Sequence, residues 1–268
     1  DDPETTDCAN SWRYEDGVLL HQDGTTGFGR SRARAAYNPN TTRTGIDVSY
    51  HNGTINWEQV KASGVDFVII RCGYGRDERG QDDRQWYRNV SECERLGIPF
   101  GVYLYSYAKD TDSARSEAQH VLRLISGHNL TYPVYYDMED DSTIGCDLTS
   151  IATTFCNTIK SAGYAVGVYA SLSWWNTYLT APCFGQWYRG VAQYNSTCKY
   201  TGEYAIWQYS STGRVSGIST DVDMNYLIGY PKDHGAASSI NIPDETQNII
   251  SYSAHVSDIG WMNSVSNG

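Results

Sequence analysis

The sequence predicts an α/β fold, a barrel of about eight strands assembled from β/α units, with fewer helices in its C-terminal half. Three observations carry this expectation. From Gly45 onward short apolar runs alternate with amphipathic stretches of helical period. The first helical stretches stop at glycines, as helix C-termini commonly do. Beyond residue 171 the strand-like runs continue, but loops replace most of the helices between them.

Taken in order, GIDVSY reads as the first strand, NWEQVKASG as a helix ending at Gly64, DFVIIRCGYG as the second strand, and RQWYRNVSECERLG as a helix ending at Gly97. PFGVYLYSY is the third strand. TDSARSEAQHVLRLISG is a helix with Thr111 or Asp112 as N-cap, and YPVYYDME a strand. DLTSIATTFCNTIKSAG repeats the helical period before YAVGVYAS, and RGVAQY, EYAIWQY and STDVDMNYL complete the strands. Residues 1–44 read as an N-terminal extension wrapping a barrel at 45–230, 231–247 as a linker, and 248–268 as the opening of a second module.

Composition narrows the function classes. No apolar run approaches the roughly 18 residues a membrane helix needs, so membrane insertion is not expected. A net charge of −11 without a basic stripe argues against nucleic acid, whose phosphates such a surface repels. Seven cysteines lack CxxC or zinc spacing, which favours disulfides and hence a secreted, extracellular protein. The N-terminus has neither the basic start nor the apolar core of a signal peptide, so the chain reads as already processed or trimmed. A Cys183–Cys198 disulfide is expected to staple the helix-poor part of the barrel, contributing about 3 kcal/mol. Cys72 reads as a buried thiol. Five Asn-x-Ser/Thr sequons begin at Asn40, Asn52, Asn89, Asn129 and Asn195.

The sharpest chemical signal is VYYDMEDD. Asp137 and Glu139 lie two apart on a strand and so share a face. Glycosidic cleavage needs a protonated acid at the leaving oxygen and a negative group near the cationic centre, and repulsion between neighbouring carboxylates helps keep one protonated. Glu139, nearer the strand's C-terminal end, is the candidate general acid. Acidic clusters also bind hard cations, and Asp140 and Asp141 leave that alternative open. Asp47 in GIDVSY and Asp223 in TDVDMN occupy comparable strand ends, the place where parallel barrels build active sites. The same alternation sets Tyr135 beside Asp137, puts Tyr103 and Tyr105 on one face, and pairs Trp207 with Tyr209; Tyr169 joins them as a candidate substrate contact. Arg71 is either a substrate contact or a structural partner for Asp47.

TGIDVSYHNGTINWEQVKASGVDFVIIRCGYG, then GVYLYSYA, YYDMED and WQYSSTGRVSGISTDVDMN, in that order and spacing, resemble the family 25 glycoside hydrolases from about Gly45 to Tyr230. The resemblance implies an irregular β/α barrel and a muramidase cutting peptidoglycan between N-acetylmuramic acid and N-acetylglucosamine without a cofactor. It implies Glu139 as proton donor, Asp137 as the group steadying the oxazolinium or oxocarbenium centre, and Asp47 and Asp223 as supporting carboxylates. SYSAHVSDIGW resembles a clostridial hydrophobic repeat with its tryptophan, a module associated with cell-surface attachment. Bacterial cell-wall peptidoglycan is the expected partner and a monomer the expected state. A chitinase-like hydrolase of N-acetylglucosamine polymers and a non-catalytic wall-binding module are the alternatives.

Overall fold

The computed structural model describes residues 43–229 and, ahead of them, two short strands, β1 (Tyr14–Glu15) and β2 (Val18–Leu19), that pair antiparallel. The expected linker, the C-terminal repeat and most of the N-terminal extension lie outside the described residues.

Eight strands close a barrel: β3 (Arg43–Val48), β4 (Phe67–Tyr74), β5 (Phe100–Tyr105), β6 (Val134–Asp137), β7 (Val166–Ser171), β8 (Tyr188–Ala192), β9 (Ile206–Gly213) and β10 (Val222–Leu227). β3 through β9 run parallel, whereas β10 lies antiparallel to both β9 and β3 and completes the ring. The helices are α1 (Trp57–Ala62), α2 (Trp86–Leu96), α3 (Thr111–Ile125), α4 (Leu148–Ser161) and α5 (Leu172–Thr177). Among the described residues no α-helix follows β8, in line with the thinning of helical period in the sequence.

Local signals explain the helix ends. Asn56 caps α1 by accepting from the Gln59 amide, and Gly97 ends α2 at a left-handed φ of 65° that a side chain would strain. The cap of α3 is Asp110, not Thr111 or Asp112: its carboxylate accepts from the Ser113 amide at 2.7 Å. Strand alternation then divides the apolar residues into two cores. Val68, Ile70, Val102, Leu104, Val134, Tyr136, Val166 and Val168 face outward and bury against the helices. Phe67, Ile69, Tyr103, Tyr135 and Ile206 fill the barrel interior. A Cβ on Gly167 would lie 2.6 Å from the Tyr135 ring, so that glycine makes room for an interior aromatic.

Several polar residues serve this packing. Asn89 is buried and accepts from Trp57 Nε1 at 3.2 Å, and Asn52 donates to Thr220 Oγ1 and the Asp221 carbonyl, so these two sequons are structural. The expected Cys183–Cys198 disulfide is not formed: both are free thiols, Cys183 in the 3-10 turn before β8 and Cys198 packed in the loop after it. Cys72 is buried, donates to the Tyr103 carbonyl at 3.3 Å, and burial pushes its thiol pKa up.

Glu117 on α3 was not visible as special in the sequence. Its carboxylate is fully buried and accepts from Ser106 Oγ, Tyr136 Oη and the Tyr107 amide, tying α3 to the ends of β5 and β6. Burial raises its pKa from 4.5 to about 7. The folded protein therefore holds a proton that the unfolded chain releases between those values. The resulting stability is complete below about pH 4.5 and lost as pH rises through about 7. Glu117→Ala should cost about 2–4 kcal/mol by stranding three donors. Urea midpoints should show that penalty shrinking between about pH 5 and pH 8, and a penalty that grows instead would contradict this account.

Candidate active site

The parallel strands all end at one mouth of the barrel, where Asp47, Ile69, Tyr103, Tyr135, Asp137 and Tyr169 line an open pocket with Gly190, Ile206, Gln208 and Asn225. Asp47 stands near the end of β3. Asp223 stands near the start of β10, yet because that strand runs the other way the register sets it directly opposite Asp47. A residue early in the last strand thus reaches the same mouth as residues late in the others.

β6 stops at Asp137, so Glu139 lies just beyond the strand instead of on it. The alternation nevertheless carries one step further: the Met138 amide donates to the Tyr169 carbonyl at 2.9 Å, continuing the ladder, and Met138 packs outward. Glu139 therefore returns to the side of Asp137, where its Oε2 accepts from the Ser171 amide at 2.9 Å. Ser171 also caps α5, and its amide holds the end of β7 to the acid.

Asp137 is 0% exposed, and neither carboxylate oxygen has a hydrogen-bond partner among the described residues. Burial, then the charges of Glu139 and Asp47, push its pKa well above the usual carboxylate range, while Arg71 opposes the shift. Burial likewise raises Glu139 to about 8 against the pull of the Ser171 amide. Burial of two neighbouring carboxyls favours their protonated forms, and each opposes the other's ionisation. Such a pair can deliver a proton to a leaving oxygen and support a developing cation.

Asp47 is held differently. Its Oδ2 accepts from Gln208 Nε2 at 2.8 Å and Asn225 Nδ2 at 2.7 Å. Tyr169 faces the pocket, and its hydroxyl donates to Gln208 Oε1 at 2.9 Å. Tyr103 and Tyr135 also form its wall. Tyr105 points the same way but donates to Asp140 Oδ2 at 3.1 Å. Asp140 Oδ1 accepts from the Ser142 amide, so this carboxylate caps a turn, and no cluster among the described residues is arranged to hold a metal.

The placement of one pair is corrected, and that of Arg71 is made specific. Trp207 and Tyr209 do not enter the pocket. They lie on the outer face of β9, packed on Tyr226, with Trp207 Nε1 donating to the Gln193 carbonyl at 2.8 Å; the inward residue is Gln208. Arg71 pairs with Asp83, its Nε donating to Oδ2 at 2.8 Å, and is 1% exposed beneath Tyr50. It acts as a buried cation near the acids and not as an exposed sugar contact. Gln208 and Asn225 were missed, although one signal was available: Gln208 is the polar residue in the otherwise apolar run AIWQY, and a buried amide needs partners.

Comparison with known proteins gives concordant results. The profile of "Glycosyl hydrolases family 25" matches residues 46–218, more than half of the chain. "Lysozyme M1" of Streptomyces globisporus is 30% identical across 69% of this chain and 67% of its own length. "Autolytic lysozyme" of Clostridium acetobutylicum is 29% identical across 68% of this chain and 54% of its own. Among solved structures, the modular autolysin LytC of Streptococcus pneumoniae, in complex with a synthetic peptidoglycan ligand, superposes with a TM-score of 0.63 at 34% identity, covering 69% of this chain and 46% of LytC. The bacterial lysozyme of Streptomyces coelicolor superposes with a TM-score of 0.59 at 26% identity, covering 75% of this chain and 99% of its own. The chain thus spans about half the length of Autolytic lysozyme and of LytC.

Proposed function

Because this chain belongs to the glycosyl hydrolases family 25 and is a glycoside hydrolase, we propose that it cleaves the β-1,4 bond between N-acetylmuramic acid and N-acetylglucosamine in bacterial peptidoglycan. The observation that carries this reading is the buried Asp137–Glu139 pair, in which Asp137 meets no donor among the described residues and burial raises the Glu139 pKa to about 8. The polymer lies outside the membrane, and the enzyme acts there as a secreted monomer.

In this reading Glu139 protonates the glycosidic oxygen. The sugar on the non-reducing side carries a 2-acetamido group able to attack its own anomeric carbon. As that sugar binds, its amide N–H donates to Asp137, supplying a hydrogen bond that none of the described residues makes. That bond favours the Asp137 anion and leaves the shared proton on Glu139. The carbonyl oxygen closes an oxazolinium ring as the leaving sugar departs, and Glu139, now a carboxylate, takes a proton from the water that opens it. Carboxyl spacing alone does not choose this route, since residues two apart on a strand stand roughly 6.6 Å apart at the backbone and rotamers span the retaining and inverting ranges.

The test uses purified cell walls. Turbidity should fall, new reducing ends should be N-acetylmuramic acid, and a proton NMR time course should show retained configuration in the first product. Turnover of chitin oligomers in place of walls would replace the substrate assignment, and an inverted first product would replace the mechanism with direct attack by an activated water. A thiazoline mimic of the cyclised sugar should inhibit.

A further inference from the structure

We propose that Gln208 is a positioning residue, oriented by two tyrosine hydroxyls, that with Asn225 sets Asp47 as the standing anion of the site. The inference rests on the glycoside hydrolase reading above and assigns a task to two amides that reading leaves unused.

The geometry runs around the barrel wall. Tyr169 Oη from β7 and Tyr194 Oη from the loop after β8 both donate to Gln208 Oε1 on β9, at 2.9 and 3.0 Å. With its carbonyl end occupied, the amide turns Nε2 toward β3, where it donates to Asp47 Oδ2. Asn225 on β10 donates to the same oxygen from the other side. Gln208 and Asn225 are each 1% exposed, so turning either amide over would bury an oxygen against a carboxylate. The two phenols therefore determine which end of Gln208 the acid meets.

Two N–H donors on one carboxylate oxygen favour the ionised form over the acid. Asp47 carries charge, and that charge is among the causes that keep a proton on Asp137 in the free enzyme. The amides thereby divide the labour: Asp47 holds the negative charge, and the Asp137–Glu139 pair holds the mobile proton. Asp223 faces Asp47 from β10, Tyr103 from β5, Asp137 from β6 and Tyr169 from β7, and Arg71 on β4 acts on the same Tyr103 and Asp137. These groups are the same in wild type and variant, so the ratio of the two pH profiles isolates position 208.

Gln208→Glu keeps the shape and replaces the amide by a carboxyl. While neutral, it accepts from both phenols and donates its O–H to Asp47; once ionised, it repels Asp47. The variant should retain kcat within about threefold of wild type near pH 5 and fall to a tenth or less of it by about pH 8, with KM little changed, a loss of roughly 1.4 kcal/mol by the tenfold relation. A role confined to packing predicts the same loss at every pH, and a constant ratio would overturn the proposal. Should Gln208→Glu fail to fold, judged by its melting curve, Asn225→Asp removes the other donor and must show the same pH-dependent ratio; a flat ratio there overturns the proposal equally. A wild-type enzyme that releases no reducing ends from walls would instead refute the substrate reading, and it would be seen before any variant is compared.

Discussion

Glu139→Gln is expected to lower kcat on cell walls by about 10²- to 10⁴-fold while leaving the melting temperature and wall binding close to wild type. The amide is nearly isosteric, and its oxygen can still accept from the Ser171 amide that holds Glu139 Oε2 at 2.9 Å. What it cannot do is deliver a proton to the leaving oxygen. The wild-type pH profile carries the same information. With the Glu139 pKa raised to about 8, the acid form persists through neutral pH, and kcat/KM should fall about tenfold per unit above that value. Near-normal turnover by the variant, or a wild-type alkaline limb near the ordinary glutamate value, would remove Glu139 from the role of acid.

Asp137→Asn should cost about 10²- to 10³-fold in kcat, on the scale of losing one electrostatic contact made to the developing charge. The asparagine can point its oxygen at the acetamide N–H, so binding is largely kept and KM should change little. The negative charge that steadies the cationic ring is gone. A second effect has a definite sign. In the substrate complex, where Asp137 is the anion, its charge opposes ionisation of Glu139, so a neutral amide there should move the alkaline limb of kcat to lower pH. It should stay above the ordinary glutamate value, because burial is the largest cause of the Glu139 shift and remains in the variant. A variant with wild-type kcat, or with its limb displaced upward, would show that Asp137 does not act beside Glu139.

Most of the barrel was readable because each strand's apolar run and each helix's period depend on neighbours a few residues away. Asp137 and Glu139 could be put on one side from spacing alone, and the Met138–Tyr169 bond carries that alternation past the strand's last residue. Trp207 and Gln208 mark the limit. Alternation states that they face opposite ways but not which faces inward, and Trp207 and Gln208 are both buried, so exposure does not separate them. Closure of the barrel decides it: β9 must put Gln208 beside the phenol of Tyr169 and the carboxylate of Asp47, which are 39 and 161 residues away in sequence.

Arg71 shows the same division. Its sequence neighbours announced a buried strand, and a buried guanidinium requires an acid, but the contact with Asp83 depends on the loop that folds back over β4. The reversed direction of β10, which carries Asp223 to the mouth, is likewise a property of ring closure. What the sequence by itself determined was the set of strands and helices, the paired acids and the family pattern, all written in local spacing. What only the tertiary structure decided was which buried polar groups meet. Each must find a hydrogen-bonding partner once water is excluded, and that partner is fixed by the register between strands distant in the chain.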